Sequence, residues 1–305
     1  MTHTSTTTRL QWWMVVVAIA AASSFVPPDD ARAQTITVQR DIVYATVDGR
    51  QLALDLYMPA GVDVPPLAVW VHGGRWMNGD KAGGVQMAFV EQGIATASLD
   101  FRQSTEARFP AMVHDIKAAI RFLRAKAPEY GYRADRIAIT GSSSGAHLAA
   151  LVGVTNGHAA LEGTVGDYRD RSSDVQAIVS YFGASNLTTI LPQSTPYGLG
   201  VRQPALEVLL GAHPDQAREL AQLASPVMHV DPSDPPLLLL HGDQDPQMPI
   251  NQSHELDGAY EALGLDVHFD VVHGAVHGDR GGPPRIFSAE RNARVVAFLR
   301  RIIGQ

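Results

Sequence analysis

The stretch that decides the fold is Arg136-Ile-Ala-Ile-Thr140, followed by Gly141-Ser142-Ser143-Ser144-Gly145 and then by Ala146-His-Leu-Ala-Ala-Leu151. The first segment has the composition of a buried β-strand and the last that of a helix. A G-x-S-x-G turn between a strand and a helix is so sharp that only glycine fits at its flanks, and it lifts the oxygen of the central serine out of the backbone. The alternative is a serine-glycine turn without chemistry, but the strand and the helix that a nucleophile requires are both present. The pattern therefore predicts Ser143 as a nucleophile.

A second glycine turn lies upstream, where Val69-Trp-Val71 leads into His72-Gly73-Gly74-Arg75-Trp76. Acyl transfer places negative charge on the carbonyl oxygen of the substrate, and each backbone N–H aimed at that oxygen typically contributes ~10²- to 10³-fold in rate. Gly73 and Gly74 allow such amides to approach closely. The amide of Ser144, which follows the nucleophile, is the third candidate donor. We expect His72 to hold this loop through hydrogen bonds rather than to act as a base.

An acid and a base should follow the serine in this order along the chain. Leu237-Leu-Leu-Leu240 is a strand that leads into His241-Gly242-Asp243-Gln244-Asp245-Pro246, and residues 267–272 lead into His273-Gly274-Ala275-Val276-His277. Asp245 is the predicted acid, with Asp243 as a competitor that stabilises the turn instead. His277 is the predicted base, because His273 lies nearer the end of its strand. In this scheme His277 accepts the proton of Ser143, and Asp245 orients the imidazole.

Around these loops, short apolar runs alternate with segments of helical period. Residues 35–47 and 52–57 alternate as strands around Asp48-Gly49, a strong hairpin turn pair, so the sheet should open with antiparallel strands. From Leu67 onward the runs are apolar on both faces, as in buried parallel strands. The sequence therefore predicts a three-layer α/β/α sandwich around a mostly parallel central sheet of about eight strands. We expect residues 34–305 to form one catalytic domain.

Residues 186–231 interrupt this alternation. They lack β-type runs, are rich in proline and glycine, and show only a short helical stretch near residues 217–223. Long excursions of this kind are either functional or mobile. Two interpretations are open: a small cap over the active edge of the sheet, or an ordinary surface excursion.

The N-terminus has the three-part pattern of a secretory signal peptide. Arg9 precedes an apolar run over residues 12–22, and a polar segment ends in Ala31-Arg32-Ala33. The run is too short to span a bilayer, which takes about 20 residues. We expect residues 1–33 to be removed after Ala33 and the product to be exported to the periplasm or secreted, with no stable membrane span. An uncleaved anchor is the alternative, since one arginine is a weak positive flank.

Composition excludes several function classes. The 305 residues carry a formal net charge of −7 and no cysteine, which disfavours nucleic acid as a partner and removes disulfides and thiolate metal sites. No G-x-G-x-x-G or P-loop pattern occurs, so no nucleotide cofactor is expected. His273 and His277 are four residues apart, but the glycine between them disfavours a helical metal pair. We predict neither a metal nor a cofactor, and the sequence carries no signal for an oligomeric state.

The order and spacing of these motifs resemble the hormone-sensitive-lipase-like and bacterial feruloyl- and acetyl-esterase-like groups of the α/β-hydrolase superfamily. The resemblance runs from about Asp55 to the C-terminus and includes the His72 loop, Tyr130-Gly131, the serine elbow and residues 241–245. It implies the same assignments: Ser143, Asp245 and His277 as a catalytic triad, with the amides of Gly73, Gly74 and Ser144 as oxyanion donors.

Two residues depart from the pattern of this group. Arg75 stands where many relatives have a third glycine, and Ser142 stands where many have an acidic residue. Arg75 could contact an anionic or sugar-bearing substrate or pair with a surface acid, and the second interpretation is favoured. Both departures leave fine specificity open.

The leading hypothesis is a serine carboxylic-ester hydrolase for short-chain or aryl esters, including acetyl or feruloyl esters of polysaccharides. Arylformamidases, other amidases and peptidases use a similar His-Gly-Gly-x-Trp motif and triad, so an amide substrate is the alternative. A non-catalytic binding protein on the same fold is a third possibility, because fold alone does not settle function.

Ligands of open α/β sheets bind at the carboxyl ends of strands, which predicts a substrate pocket lined by four residues. These are Trp76, Tyr181, Phe182 and Met248.

Overall fold

The central sheet has eight strands in the residues that the computed structural model describes, namely 1–2, 35–279 and 282–304. The signal peptide predicted over residues 1–33 lies, apart from its first two residues, outside this description. From Thr35 onward the chain groups into one compact unit. The strands are β1 (Thr37–Val47), β2 (Arg50–Met58), β3 (Pro66–Val71), β4 (Ala95–Leu99), β5 (Arg133–Ser142), β6 (Ala177–Tyr181), β7 (Leu237–Gly242) and β8 (Val267–Val272).

The strands follow one another in the order β1-β2-β4-β3-β5-β6-β7-β8. β2 runs antiparallel to both of its neighbours, β1 and β4, and all other neighbouring pairs are parallel. The turn between β1 and β2 places Asp48 and Gly49 at φ 49° and 82°, the left-handed pair that a tight hairpin requires. The predicted mostly parallel sheet with an antiparallel opening is therefore confirmed.

Helices cover both faces of this sheet. They are α1 (Met87–Glu91), α2 (Ala111–Tyr130), α3 (Ser144–Gly153), α4 (Ala159–Glu162), α5 (Ile190–Gln193), α6 (Pro196–Leu210), α7 (Arg218–Leu223), α8 (Asn251–Ala262) and α9 (Ala289–Ile303), with a short 3-10 helix at Pro226–Met228. In the described residues, no helix is both long and apolar enough to cross a lipid bilayer.

Strand β3 shows why the molecule has three layers. Leu67, Val69 and Val71 point into a core that α2 and α3 share, while Ala68 and Trp70 point into a second core with α1 and α9. Because successive side chains of a strand face opposite sides, a strand that is apolar throughout must be covered twice. The predicted α/β/α sandwich is confirmed.

The segment 186–231 contains more helix than the sequence suggested. A helix was expected only near residues 217–223, yet α6 adds 15 residues, in spite of the glycines and the proline inside it. The hydroxyl of Thr195 caps the helix by accepting the N–H of Gly198 at 3.0 Å, Pro196 occupies the first turn, and Gly211 ends the helix at φ 86°. Strong end signals and a buried apolar face therefore outweigh the weak helix formers in the middle.

Candidate active site

Ser143 sits at a strained turn between β5 and α3. Its φ and ψ are 55° and −123°, a conformation that side chains rarely adopt, and its N–H donates to the carbonyl of Tyr181 at 2.9 Å. A Cβ at Gly141 would lie 2.5 Å from the oxygen of Gly145, and a Cβ at Gly145 would lie 2.2 Å from that of Val71. The flanking residues must therefore be glycine, as the motif predicted.

The serine hydroxyl faces the histidine and the carboxylate that follow it along the chain. Ser143 Oγ lies 3.0 Å from His277 Nε2, and His277 Nδ1 lies 2.6 Å from Asp245 Oδ2. Because an ionised carboxylate only accepts hydrogen bonds, Nδ1 carries the imidazole proton. The lone pair of Nε2 is then directed at the serine, which is the arrangement that proton abstraction requires.

Asp245 is held by its own loop. Its Oδ1 accepts the N–H groups of Gln247 and Met248, both at 2.8 Å, and the carboxylate is buried. Burial alone would raise the pKa of Asp245, but its contacts with His241 and His277 outweigh burial and hold the pKa well below its usual range. The group is therefore a carboxylate at neutral pH.

His277 is poised as a neutral base. Burial lowers the pKa of its imidazole below the ordinary 6.5, against the opposing pull of Asp245. The ring of Phe182 packs against it at 4.8 Å between centroids and shields it from water. An imidazole that is unprotonated at neutral pH can accept the serine proton.

Asp243 and His273, the alternative acid and base from the same two loops, pair with each other. Asp243 accepts from His273 Nδ1 at 2.8 Å and from the N–H of Gly274 at 2.7 Å, and the His273 side chain is largely exposed. Asp243 thus ties the two loops together, in line with the turn-stabilising role expected of it.

The glycine loop lies against the nucleophile. A Cβ at Gly73 would be only 3.3 Å from Ser143 Cβ, and Gly74, at φ 131°, has no room for a side chain. The ring nitrogen Nδ1 of His72 donates to the carbonyl of Gly73 at 2.8 Å, which is the loop-holding contact expected of this residue. Ser144 begins α3, so its amide belongs to the helix end where N–H groups have no intrahelical acceptor. Gly73 and Gly74 line the same cavity as Ser143, and Ser144 is the next residue along the chain, so the three predicted amide donors belong to segments that adjoin the nucleophile.

A cavity of about 560 Å³ opens above the serine. Its wall combines the glycine loop, the elbow, the base loop and α6. The lining residues are Gly73, Gly74, Arg75, Asn78, Ser142, Ser143, Phe182, Tyr197, Val201, Gln247, His277, Gly278 and Asp279. Tyr197 and Val201 belong to the 186–231 segment, so that segment forms part of the wall.

Of the four predicted pocket residues, only Phe182 lines this cavity. Trp76, Tyr181 and Met248 are at most 1% exposed and pack beneath it, which corrects the prediction for these three. These residues lie near the ends of strands, as predicted, but their side chains point into the hydrophobic cores. Trp76 Nε1, for example, donates to His147 Nδ1 at 3.0 Å. Sequence reasoning missed Tyr197, Val201 and Gln247 because a chain pattern does not reveal which loops fold over the site.

Arg75 lies on the cavity wall in a left-handed conformation with φ 59°. Over residues 35–279 and 282–304, no carboxylate lies within ion-pair distance of its guanidinium. The pairing with a surface acid that the sequence favoured is therefore absent from this part of the chain. Within the same ranges, no group of three or more histidine or carboxylate side chains is arranged to hold a metal ion.

An eight-stranded sheet of this topology, with a serine at a strand-helix elbow that faces a histidine and an aspartate, defines the α/β-hydrolase class. The BD-FAE family model matches residues 54–260, more than half of the chain. The chain therefore belongs to the BD-FAE family.

Among curated relatives, the chain is 32% identical to esterase LipQ of Mycobacterium tuberculosis over 232 residues, which cover 73% of this chain and 53% of LipQ. It is 31% identical to the isoprenylcysteine alpha-carbonyl methylesterase ICME of Arabidopsis thaliana over 265 residues, 82% of this chain and 60% of ICME. The chain thus spans about half to three fifths of the length of these relatives.

Two solved structures cover most of the chain. A truncated carbohydrate esterase from gut microbiota superposes with a TM-score of 0.78 at 29% identity and covers 89% of this chain and 98% of its own. A bifunctional GH43-CE protein of Bacteroides eggerthii gives a TM-score of 0.75 at 34% identity, with 87% of this chain and 35% of its own covered. The fold of this chain is therefore the fold of known esterases.

Proposed function

We propose that the protein is a serine carboxylic-ester hydrolase that works through an acyl-enzyme. One observation carries this proposal: the continuous chain of hydrogen bonds from Ser143 Oγ to His277 and on to Asp245, at 3.0 and 2.6 Å. The names of its relatives as esterases support the same activity.

The geometry supports a two-stage reaction. His277 Nε2 takes the proton from Ser143 as Oγ attacks the ester carbonyl carbon, and the amides of Gly73, Gly74 and Ser144 receive the developing oxyanion. The imidazolium, stabilised by Asp245, then gives this proton to the departing alcohol oxygen. In the second stage a water molecule gives a proton to His277 as its oxygen attacks the acyl carbon. His277 then returns this proton to Ser143 Oγ as the bond from the acyl carbon to Oγ breaks and the acid leaves.

The substrate class that we propose is a short-chain ester on a carbohydrate, such as an acetyl group. A carbohydrate esterase is among the structural neighbours, at 29% identity, and the cavity wall carries polar side chains that suit a sugar. Asn78, Tyr197 and Gln247 offer amide and hydroxyl groups for sugar hydroxyls. The 186–231 segment would act as a small cap, since it supplies Tyr197 and Val201.

Hydrolysis of a defined panel tests this proposal. The panel comprises the p-nitrophenyl esters of acetate, butyrate, octanoate and ferulate, an acetylated xylan, and an aryl formamide, each assayed with wild-type protein and Ser143→Ala. We expect turnover of acetate and acetylated xylan that is lost in the variant. Turnover of the formamide alone would replace the esterase by the amidase alternative, and a folded wild-type protein that hydrolyses nothing would favour the binding-protein alternative.

Export is part of the proposal. It is supported by the charged, apolar and small-residue pattern of residues 1–33. Expression of the full gene in a bacterium, followed by N-terminal sequencing of the mature protein, should yield Gln34 as the first residue in the periplasm or medium. Retention of an intact N-terminus in the membrane fraction would indicate an anchor instead.

A further inference from the structure

Arg202 is a buried cation next to the triad. It lies on α6, is fully buried, and donates from Nε to the carbonyl of Gln247 at 3.0 Å. Its guanidinium carbon lies 5.9 Å from the ring centroid of Trp76. In the described residues, Nη1 and Nη2 have no hydrogen-bond partner. The side chain therefore satisfies only part of the hydrogen-bonding capacity that a guanidinium has.

A cation in this position should weaken the fold. Burial lowers the pKa of Arg202 to about 10, and the nearby Asp245 offsets only part of that effect. Buried charges that lack full hydrogen bonding are destabilising, and their replacement by apolar side chains of similar size is often neutral or stabilising. A residue that weakens the fold and adjoins an active site calls for a functional explanation.

The contacts of Arg202 join two loops that the reaction uses. Gln247, whose carbonyl it binds, is the residue whose N–H donates to Asp245 Oδ1 at 2.8 Å. Trp76, whose ring it covers, follows Gly74 by two residues in the glycine loop. Because this loop carries two of the predicted oxyanion donors, we also call it the oxyanion loop. Arg202 therefore bridges the loop that carries Asp245, which we call the acid loop, and the oxyanion loop.

Trp76 is anchored on its other side as well. Its Nε1 donates to His147 Nδ1 at 3.0 Å, and His147 Nε2 donates to the carbonyl of Ala224 at 2.7 Å. His147 belongs to α3, the helix that starts after Ser143, and Ala224 belongs to the 186–231 segment. The indole is thus clamped between the nucleophile helix and α6, so movement of the guanidinium would be transmitted to the glycine loop.

The charge of Arg202 also acts on the base. The groups around its guanidinium are Asp245 after β7, Arg75 in the oxyanion loop and Tyr197 on α6. The charge of Arg202 also reaches His277, which follows β8. It lowers the pKa of this imidazole, alongside the larger effect of burial. Removal of the cation should therefore raise the pKa of His277, because a nearby positive charge disfavours protonation.

We propose that Arg202 is a positioning residue. Its buried guanidinium holds the acid loop and the oxyanion loop in the positions that the reaction requires, and it does so while weakening the fold. This inference rests on the proposed esterase function. It gives the 186–231 segment a part in catalysis beyond covering the cavity, because Arg202 reaches both loops from that segment.

Two variants of the full chain, Arg202→Met and Arg202→Lys, test the inference with p-nitrophenyl acetate as substrate. Arg202→Met should lower kcat by roughly a hundred-fold, since misplacement of catalytic groups by about 1 Å has that effect, and leave KM nearly unchanged. Its melting temperature should equal or exceed that of the wild type. The acid limb of its pH profile should move to higher pH. Arg202→Lys keeps the charge without the planar fork, so it should restore the pH profile but not kcat.

Arg124→Met is the matched control. Arg124 is a half-buried arginine on α2 that donates to three carbonyls, those of Ala134, Ser172 and Asp174, and it is absent from the cavity wall. Its loss should lower the melting temperature and leave kcat and the pH profile unchanged.

The outcomes separate the alternatives. A higher KM for Arg202→Met at unchanged kcat would overturn the inference in favour of substrate binding. A lower melting temperature, with or without a lower kcat, would overturn it in favour of a structural role, as would an unmoved pH profile. Failure of the proposed function is a different result, because the wild-type protein itself would then hydrolyse no ester.

Discussion

Replacement of Gly73 by alanine should damage catalysis without damaging the fold. A Cβ at this position would lie 2.8 Å from the backbone oxygen of Ser142 and 3.3 Å from Ser143 Cβ. The first of these neighbours is backbone and cannot rotate away. To reach the 3.4 Å at which ordinary contact begins, the glycine loop has to move by about 0.6 Å, which exceeds the roughly 0.5 Å within which catalytic groups must be held. The loop would move away from the nucleophile.

The size of the effect follows from the role of the loop. Complete loss of one oxyanion donor typically lowers kcat by ~10²- to 10³-fold, and a displaced donor retains part of its effect. We expect Gly73→Ala to lower kcat about 10- to 100-fold, with little change in KM, because the donors contact the transition state more strongly than the substrate. Steady-state hydrolysis of p-nitrophenyl acetate and a thermal melt measure both quantities on the same preparation.

Gly258→Ala provides the control. Gly258 lies in α8, is exposed, and has nothing within 4 Å of an added Cβ. The change should leave kcat unaltered and stabilise the helix by about 0.5–1 kcal/mol. Wild-type kcat in a folded Gly73→Ala protein would refute the assignment of this loop to the oxyanion.

Three further predictions concern the hydrogen-bond network of the site. Asp245→Asn should lower kcat by about 10⁴-fold in a folded protein, by analogy with serine proteases, because the amide no longer fixes the imidazole tautomer; steady-state kinetics and a melt check this, and a drop below tenfold would contradict it. Because burial lowers the pKa of His277 and only the neutral imidazole is a base, kcat/KM should be lost on acidification with a midpoint below 6.5; a midpoint above 6.5 would contradict this sign. Trp76→Phe should leave the buried Nδ1 of His147 without a donor and lower the free energy of unfolding by about 1–3 kcal/mol in urea titrations, and unchanged stability would contradict that contact.

Much of the fold could be predicted because its signals are local. The buried strand before Ser143 and the helix after it share one turn whose chemistry fixes both neighbours. Asp48-Gly49 similarly predicted the opening hairpin. Helix α6 was missed because its glycines and proline suggest irregular chain, whereas its stability comes from end caps and from packing against the rest of the protein.

The chemical core of the site could be predicted for the same reason, since each member follows a strand end in a fixed chain order. The residues that line the substrate cavity could not be predicted, because the sequence does not show whether a side chain of a loop points toward the cavity or into the core. Trp76 and Met248 lie at the expected places and point inward. Arg202 had a usable signal: together with Leu206 and Leu209 it falls on the buried face of α6, at the i, i+4 and i+7 spacing of one helix face. An arginine in such a stripe is a candidate for a buried functional cation.

Covalent labelling of Ser143 tests the central claim most directly. The wild-type protein is incubated with paraoxon, which transfers a dialkylphosphoryl group to activated serines, and the labelled peptide is sequenced by mass spectrometry. Ser142→Ala, Ser143→Ala and Ser144→Ala are treated in parallel. The account predicts one adduct, on Ser143, with loss of esterase activity in proportion to labelling; only Ser143→Ala should escape the label. An adduct on another serine, or full labelling and full activity in Ser143→Ala, would contradict the assignment of the nucleophile.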